Sequence, residues 1–553
     1  MESSRLVFLI VFCVSLYLLG EKWIQQHEPK NEKPVATNQS RSIAPPASPA
    51  TELRGQAGTQ AQTAASPTDS GAPVPSGDIV TVVTDVLKVD ISTVGGDVRR
   101  VEFLKHRDSV KPDVNFVLLD STSNHTYIGQ SGILGSQAPN HKTIFTTTSR
   151  SVALDAGQDS VSVVLEGRSD SGAVLRKTYR FRRGDYVIVL ANELSGTLPA
   201  GTPSAYFQLV RDDQAPGGES RWVPTFNGIA VYTDKDKYQK VAFSDLEKGK
   251  ASHAKSSTDG WIGMVQHYFV SAWLPPNGAN REFFTKSLGG NLYAAGVIVP
   301  MAATPDGKWS LEMLLYAGPQ EQDKLAALSK GLELTVDYGW LTIIATPLFA
   351  LLSAIHEWGV KNWGVAIIIV TVLIKLLFFP LSAASYKSMA KMRILAPKLQ
   401  KLKEQYGDDR QKMHQAMMEL YKTEKINPLG GCLPIVIQIP VFISLYWVLL
   451  GSVEIRNAPF MLWIKDLSSP DPLYILPVLM GISMIVQSRL NPEPPDPIQA
   501  KVMKIMPVAF SVFFFFFPAG LVLYWLVNNI LSIAQQWFIT RQLEQAGLGA
   551  PKR

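Results

Sequence analysis

The chain has 553 residues, 46% of them hydrophobic and 18% charged, with a net charge of +6 at neutral pH. These averages would suit a soluble enzyme, but the apolar residues collect at the extreme N-terminus and beyond Tyr338, which excludes a uniformly soluble chain. So mild a basic excess is what the cytoplasmic loops of a membrane protein carry and gives no reason to invoke nucleic acid.

The two cysteines, Cys13 and Cys432, both lie in apolar segments. The polar middle of the chain therefore has no disulfide and no cysteine-based metal site, and must be held by its own core. Residues 6–19 are apolar, with Arg5 before them and Glu21-Lys22 after them. No small-x-small cleavage site follows, so residues 1–24 are predicted to be an uncleaved signal anchor with its N-terminus inside. Residues 25–77 are rich in Pro, Ala, Ser and Thr, as in Ala44-Pro45-Pro46-Ala47-Ser48-Pro49. Such a composition cannot bury enough apolar surface to fold and is expected to be a flexible linker.

Over residues 78–335 the pattern becomes short β-type runs, at 79–91, 160–165 and 186–190. Turn residues punctuate them: Gly95-Gly96, Ser169-Asp170-Ser171-Gly172 and Arg183-Gly184-Asp185. Many short strands without a fixed period predict an all-β sandwich of antiparallel sheets in an exported domain. His106, His125, His141, His253 and His267 are scattered without metal-ligand spacing. Asp212-Asp213, or Asp234 with Asp236, read as exposed loop carboxylates. The aromatics Trp222, Phe226, Trp261 and Trp273 suit either a sugar cleft or the core, with the core preferred. Phosphate-loop and hydrolase motifs are missing, so neither an enzyme nor a cofactor is expected.

Five apolar stretches follow. Residues 336–361 contain a short one, interrupted by Pro347 and flanked by His356 and Glu357, and are expected to form an interfacial amphipathic helix. Residues 363–381, 429–450 and 473–487 each read as a span. Residues 505–539 would make a helix of roughly 50 Å, too long for one crossing of a ~30 Å core. Pro518-Ala519-Gly520 supplies a turn at its middle, so two short spans are predicted. Loop charge agrees with this arrangement. Residues 382–428 carry ten Lys or Arg residues, while 452–472 carry only Arg456 and Lys465. The whole reads as an α-helical membrane bundle of six transmembrane helices plus the exported β domain. Residues 362–544 hold five of the helices with a cytoplasmic hairpin at 382–428, and 545–553 are a tail. Both termini are expected inside.

Lys375 stands in an apolar run whose only other polar residue is Thr371, four positions earlier and on the same helix face. Such a Lys costs about 2.5–3.5 kcal/mol at a helix centre. It either faces a water-filled cavity, the preferred reading, or snorkels to the interface. Gln438, Asn528 and Asn529 also lie at membrane depth. With Lys375 they suit a wet groove or, equally, plain interhelical hydrogen bonding. No Asp or Glu is buried in the spans after the first, which argues against proton-coupled transport. The hairpin turns at Gly407-Asp408-Asp409. Its Lys387, Lys391, Arg393, Lys398, Lys401 and Lys403 stand beside Met389, Met392, Met413, Met417 and Met418. That surface suits nascent apolar segments or ribosomal RNA, or simply the membrane surface.

Three ordered motifs stand out: Ser388-Met389-Ala390-Lys391-Met392-Arg393, Asn427-Pro428-Leu429-Gly430-Gly431-Cys432, and Phe517-Pro518-Ala519-Gly520-Leu521-Val522-Leu523-Tyr524-Trp525. They resemble the YidC/Oxa/Alb membrane insertase family, and the anchor, linker and exported domain resemble its Gram-negative form with a large periplasmic domain. The resemblance implies an inner-membrane insertase and chaperone working through a hydrophilic groove, closed on the outer side. It implies a periplasmic β supersandwich of sugar-mutarotase fold, without that activity. It implies a substrate groove at Lys375, Thr371, Gln438 and Asn528, with clients sliding along Ile439, Phe442, Met480, Phe513, Tyr524 and Trp525. Nascent membrane proteins, translating ribosomes, the Sec translocon and membrane lipids are the implied partners. Two positions depart from the family pattern. Lys375 stands where a groove arginine is usual, which keeps the charge and loses the planar fork of donors. Trp525 stands where a second tyrosine is common. A small-solute transporter or channel is the alternative reading of the membrane part.

Overall fold

The computed structural model describes residues 77–108, 111, 113–123, 125–135, 137–197, 201–214, 225–406, 409–424, 433–490 and 497–545. The expected anchor and nearly all of the expected linker lie outside these residues, as do Trp222, the Asn427-to-Cys432 motif and most of the tail.

The first half of the described chain builds two large sheets. One runs, in spatial order, Ser256–Ser257, Arg281–Gly289, Leu292–Pro300, Ser204–Asp212, Thr126–Ile133, Asn115–Ser121, Val98–Arg107, Leu87–Ser92, Ile79–Val83 and Ser151–Ala153. The other runs Lys237–Val241, Gly228–Thr233, Trp261–Gln266, Phe269–Leu274, Trp309–Pro319, Val187–Gly196, Ala173–Arg182, Ser160–Arg168 and Phe145–Thr146. Pairing is antiparallel except where Thr81–Val83 runs parallel to Ser151–Ala153.

Local sequence explains these strands. Ala173–Arg182 alternates buried and outward positions along its whole length, which is the period of a half-solvated strand. Ser204–Asp212, near the middle of its sheet, is buried on both faces from Ala205 onward. The run expected over 79–91 is in fact a hairpin of two strands. Thr84 makes the turn, its hydroxyl accepting from Val86 N at 3.2 Å and Leu87 N at 2.9 Å. Ser169 to Gly172 form the expected turn between Ser160–Arg168 and Ala173–Arg182, with Gly172 at φ +89°.

Aromatic rings close the space between the sheets. Phe207 of one meets Trp273 of the other at 5.2 Å, and Phe116 stacks on Phe269 at 4.1 Å. Trp261 and Trp273 are fully buried, and Phe226 packs against the same core. The five histidines each have a separate partner, such as Asp212 for His125 and Thr285 for His253. Two short helices, α1 (Phe243–Glu247) and α2 (Gln322–Leu328), flank the sheets.

The rest is helical: α3 (Thr342–Ile355), α4 (Trp363–Leu377), α5 (Phe379–Gln405), α6 (Arg410–Thr423), α7 (Leu433–Gly451), α8 (Ile475–Leu490), α9 (Pro497–Phe513) and α10 (Ala519–Gln545). With its flanking turns α3 forms a 22-residue apolar run, Gly339–Val360, long enough by itself to cross a membrane. It ends in a π-turn where Gly359 takes φ +117°. The expected 363–381 helix ends four residues early, because the chain bends by 64° between α4 and α5. Pro380 accounts for the break: it has no N–H to continue α4, and it fits the first turn of α5, where that donor would be spare anyway. The 505–539 stretch breaks as its turn residues require, into α9, a 3₁₀ turn at Phe514–Phe516, and α10. Asp409 caps α6 by accepting from Lys412 N at 3.1 Å.

Candidate functional site

Lys375 is carried in the last turn of α4. That helix starts at Asn362, whose side chain accepts from Val365 N at 3.1 Å and donates to Phe460 O at 2.8 Å. The start of α4 is thus tied to the loop between α7 and α8. The same loop is tied to α10, with Gly520 N donating to Leu467 O at 2.9 Å and Ala519 N to Ser469 O at 2.8 Å. Asp471, fully buried in this loop, accepts from Trp463 Nε1, Leu473 N and Leu476 N.

At the other end of α4, Lys375 is 8% exposed. Its Nζ donates to Ser532 Oγ of α10 at 2.7 Å and to Gln438 Oε1 of α7 at 3.5 Å. Gln438 Nε2 donates to Asn528 Oδ1, and to Tyr524 OH at 3.4 Å. Ser532 Oγ donates to the Asn528 carbonyl at 2.7 Å. Three helices therefore meet in one polar cluster inside otherwise apolar walls. A small open cavity lies beside it, lined by Ile374, Phe378, Leu381, Ser382 and Ile437 together with Lys375 and Gln438. Among the described residues, no carboxylate pairs with Lys375. The cluster has hydrogen-bonding groups and one cation but no acid–base pair or nucleophile–base pair, so it can solvate and attract rather than catalyse.

Of the sequence-derived groove residues, Lys375, Gln438 and Asn528 meet in this cluster. Thr371 is buried on the same face of α4, and its hydroxyl donates to Ile367 O of its own helix at 2.6 Å. The six candidate sliding residues divide. Ile439 and Phe513 are half-exposed, and Phe442 meets Trp525 edge-on at 4.6 Å, both partly buried. Met480 and Tyr524 are fully buried in the helical core and offer no surface. Lys387, Lys391, Lys398 and Lys401 are exposed along α5, with Lys398 Nζ 2.6 Å from Glu424 Oε1. The side chains of Arg393 and Lys403 lie outside the description.

Sequence reasoning missed Ser532, Gln535 and Tyr386. Gln535 Nε2 donates to the Lys375 carbonyl at 3.4 Å, and Tyr386 OH to Ser532 O at 3.4 Å. The signal was available: Asn528, Ser532 and Gln535 recur at helical spacing in an apolar stretch and so share one face.

Two family models match the chain: the 60Kd inner membrane protein over residues 354–546 and the YidC periplasmic domain over residues 79–351. The membrane protein insertase YidC of Methylobacillus flagellatus is 53% identical over 549 residues, covering 99% of this chain and 98% of that protein. The chain belongs to the YidC family of membrane protein insertases. The YidC of Aromatoleum aromaticum is 52% identical over 553 residues, covering all of both chains. A solved structure of an active YidC insertase with its first transmembrane domain resolved is similar over 83% of this chain and 92% of that one. It shares 16% identity, with a TM-score of 0.39. As a YidC-family protein the chain is an insertase and not an enzyme. It is located in the inner membrane, and the two-sheet domain is periplasmic.

Proposed function

We propose that this insertase moves apolar segments of nascent proteins into the bilayer through the polar cluster of α4, α7 and α10, alone or with the Sec translocon. The observation that carries this reading is the buried Lys375 ammonium, bonded to neutral oxygens and paired with no carboxylate among the described residues. An uncompensated charge at this depth attracts an opposite charge far more strongly than one in water does. Acidic residues of a client's exported tail are its natural complement. Half-exposed Ile439 and Phe513, with Phe442 and Trp525 behind them, give the client's apolar segment a path toward lipid. Hydrophobic transfer supplies the driving force, so no nucleotide is required.

The surrounding topology completes the proposal. A signal anchor at 1–24, followed by α4, α7, α8, α9 and α10, makes six spans with both termini cytoplasmic. Residues 25–77 tether the periplasmic domain of 78–335. The helix of 336–361 lies at the periplasmic interface, where Trp340, Ile343 and Trp358, each more than 80% exposed, suit the headgroup region. The α5–α6 hairpin presents its basic side chains to translating ribosomes and anionic lipid headgroups.

The test is reconstitution of the pure protein in liposomes with a short single-span client. Insertion should depend on the protein, and Lys375→Ala should impair acidic-tailed clients most. Equal insertion of acidic- and neutral-tailed clients by the variant would remove the groove-charge role.

A further inference from the structure

In the cluster around Lys375 the direction of each hydrogen bond is fixed by its neighbours. Ser532 has one hydroxyl proton, and it is given to the Asn528 carbonyl one turn earlier at 2.7 Å. The bond between Ser532 Oγ and Lys375 Nζ can then only be accepted by the serine. Gln438 is oriented in the same way. Its amide protons go to Asn528 Oδ1 and Tyr524 OH, which turns Oε1 toward Nζ. The lysine ammonium has three protons. Two meet these oxygens, and among the described residues no acceptor takes the third. The cavity that Lys375 and Gln438 share with Phe378 and Ser382 leaves room for one beside it.

We propose that Ser532 is a positioning residue for the insertion reaction, holding the Lys375 ammonium at the groove wall with one N–H left for a single carboxylate oxygen of the client. This rests on the groove-charge reading above and gives it a geometry. A planar guanidinium presents a two-donor fork to a carboxylate, whereas a lysine held in this way offers one point contact. The site would thus select an acidic client by charge and depth rather than by bidentate fit. Without the serine, Nζ keeps only the longer Gln438 contact, and its four-carbon stem is free to swing away from the wall. The plainer role for Ser532 is to satisfy its own hydroxyl by bonding back along the helix, as serines in apolar helices do. That role gives no reason for two clients to be treated differently.

The experiment compares two single-span clients in proteoliposomes, identical except for an acidic or a neutral exported tail. Ser532→Ala should lower insertion of the acidic client by about three- to tenfold, the range expected for one interhelical hydrogen bond in a bilayer. The neutral client should be unaffected. Ser532→Thr, which keeps the hydroxyl, should restore the acidic client. In a Lys375→Ala background, Ser532→Ala should add nothing. If Ser532→Ala fails to accumulate in the membrane, Ser532→Asp serves instead. It supplies an internal carboxylate to Nζ and should erase the preference for acidic clients. Equal loss for both clients would overturn the proposal, as would an inert Ser532→Ala beside a discriminating Lys375→Ala. Lys375→Ala that treats both clients alike would remove the groove-charge reading itself, and the positioning role with it.

Discussion

Glu454 follows α7 in the loop before α8, and its chemistry can be followed by titration. Its Oε1 accepts from Gln322 N, the first residue of α2, at 3.1 Å, while its Oε2 is buried without a hydrogen-bond partner. Burial, with Glu321 and Asp323 adding to it, outweighs that bond and pushes the carboxyl up to about 7. The folded chain thus binds a proton there that the unfolded chain releases near its ordinary 4.5. The stability this contributes is complete below about pH 4.5 and is lost as pH rises through about 7. Glu454→Gln keeps the acceptor oxygen and cannot ionise. Its unfolding free energy relative to wild type should be flat below pH 4.5. The gap should then widen in the variant's favour by up to about 3 kcal/mol by pH 8. Parallel pH profiles for the two proteins would show that the carboxyl titrates normally.

At the scale of elements, helix length and one close approach decide the packing. The helices α4, α8 and α9 have 15, 16 and 17 residues. At 1.5 Å per residue these are about 22–26 Å long, against a ~30 Å hydrocarbon core. As the spans proposed above, helices this short call for a thinner bilayer. Thermal stability measured in bilayers of increasing acyl-chain length should therefore peak below the usual thickness, and a peak in thick bilayers would contradict the proposed spans. The first turn of α4 shows why a small residue stands there. A Cβ on Gly364 would lie 2.1 Å from the Phe460 ring, in the loop that Asn362 also holds. Gly364→Ala should cost about 1–3 kcal/mol of unfolding free energy, the usual range for overpacking.

Across the whole molecule, the periplasmic domain and the membrane helices are joined by groups that would otherwise be unsatisfied. Leu450 O is a spare carbonyl in the last turn of α7, and His267 Nε2 of the β domain donates to it at 2.9 Å. Glu454 does the reverse for α2, taking one of its spare N–H groups. Between them Arg456 donates to Arg107 O at 2.7 Å and lies over the rings of Phe116, Tyr268 and Phe269 at 5.3–5.8 Å. Burial first, and the Arg456 charge after it, lower both His106 and His267 to about 4, so neither adds a charge to the joint at neutral pH. Arg456→Ala should loosen the joint. With Cys13 and Cys432 replaced by Ser, spin labels at Ser149→Cys and Lys387→Cys should give a narrow distance distribution that broadens in the variant. An unchanged width would show that the other contacts suffice.

The sequence alone was enough for the division into a polar β-rich middle and an apolar helical end, because strand alternation and apolar run length are local properties. It also exposed Lys375, since a lone charge in an apolar run is visible without coordinates, and the break at Pro518-Ala519-Gly520, since turn chemistry is local too. The early end of α4 at Pro380 was legible in principle, but apolar character continued past it and hid the bend. Only the tertiary structure decided what Lys375 touches. Ser532 and Gln438 reach it from helices 157 and 63 residues away in sequence. Met480 and Tyr524 likewise look as available to a client as Ile439 does when read along the chain. Burial is set by which faces of α7, α8 and α10 turn toward one another, and helical periodicity names the faces of a helix without naming the neighbour each one meets.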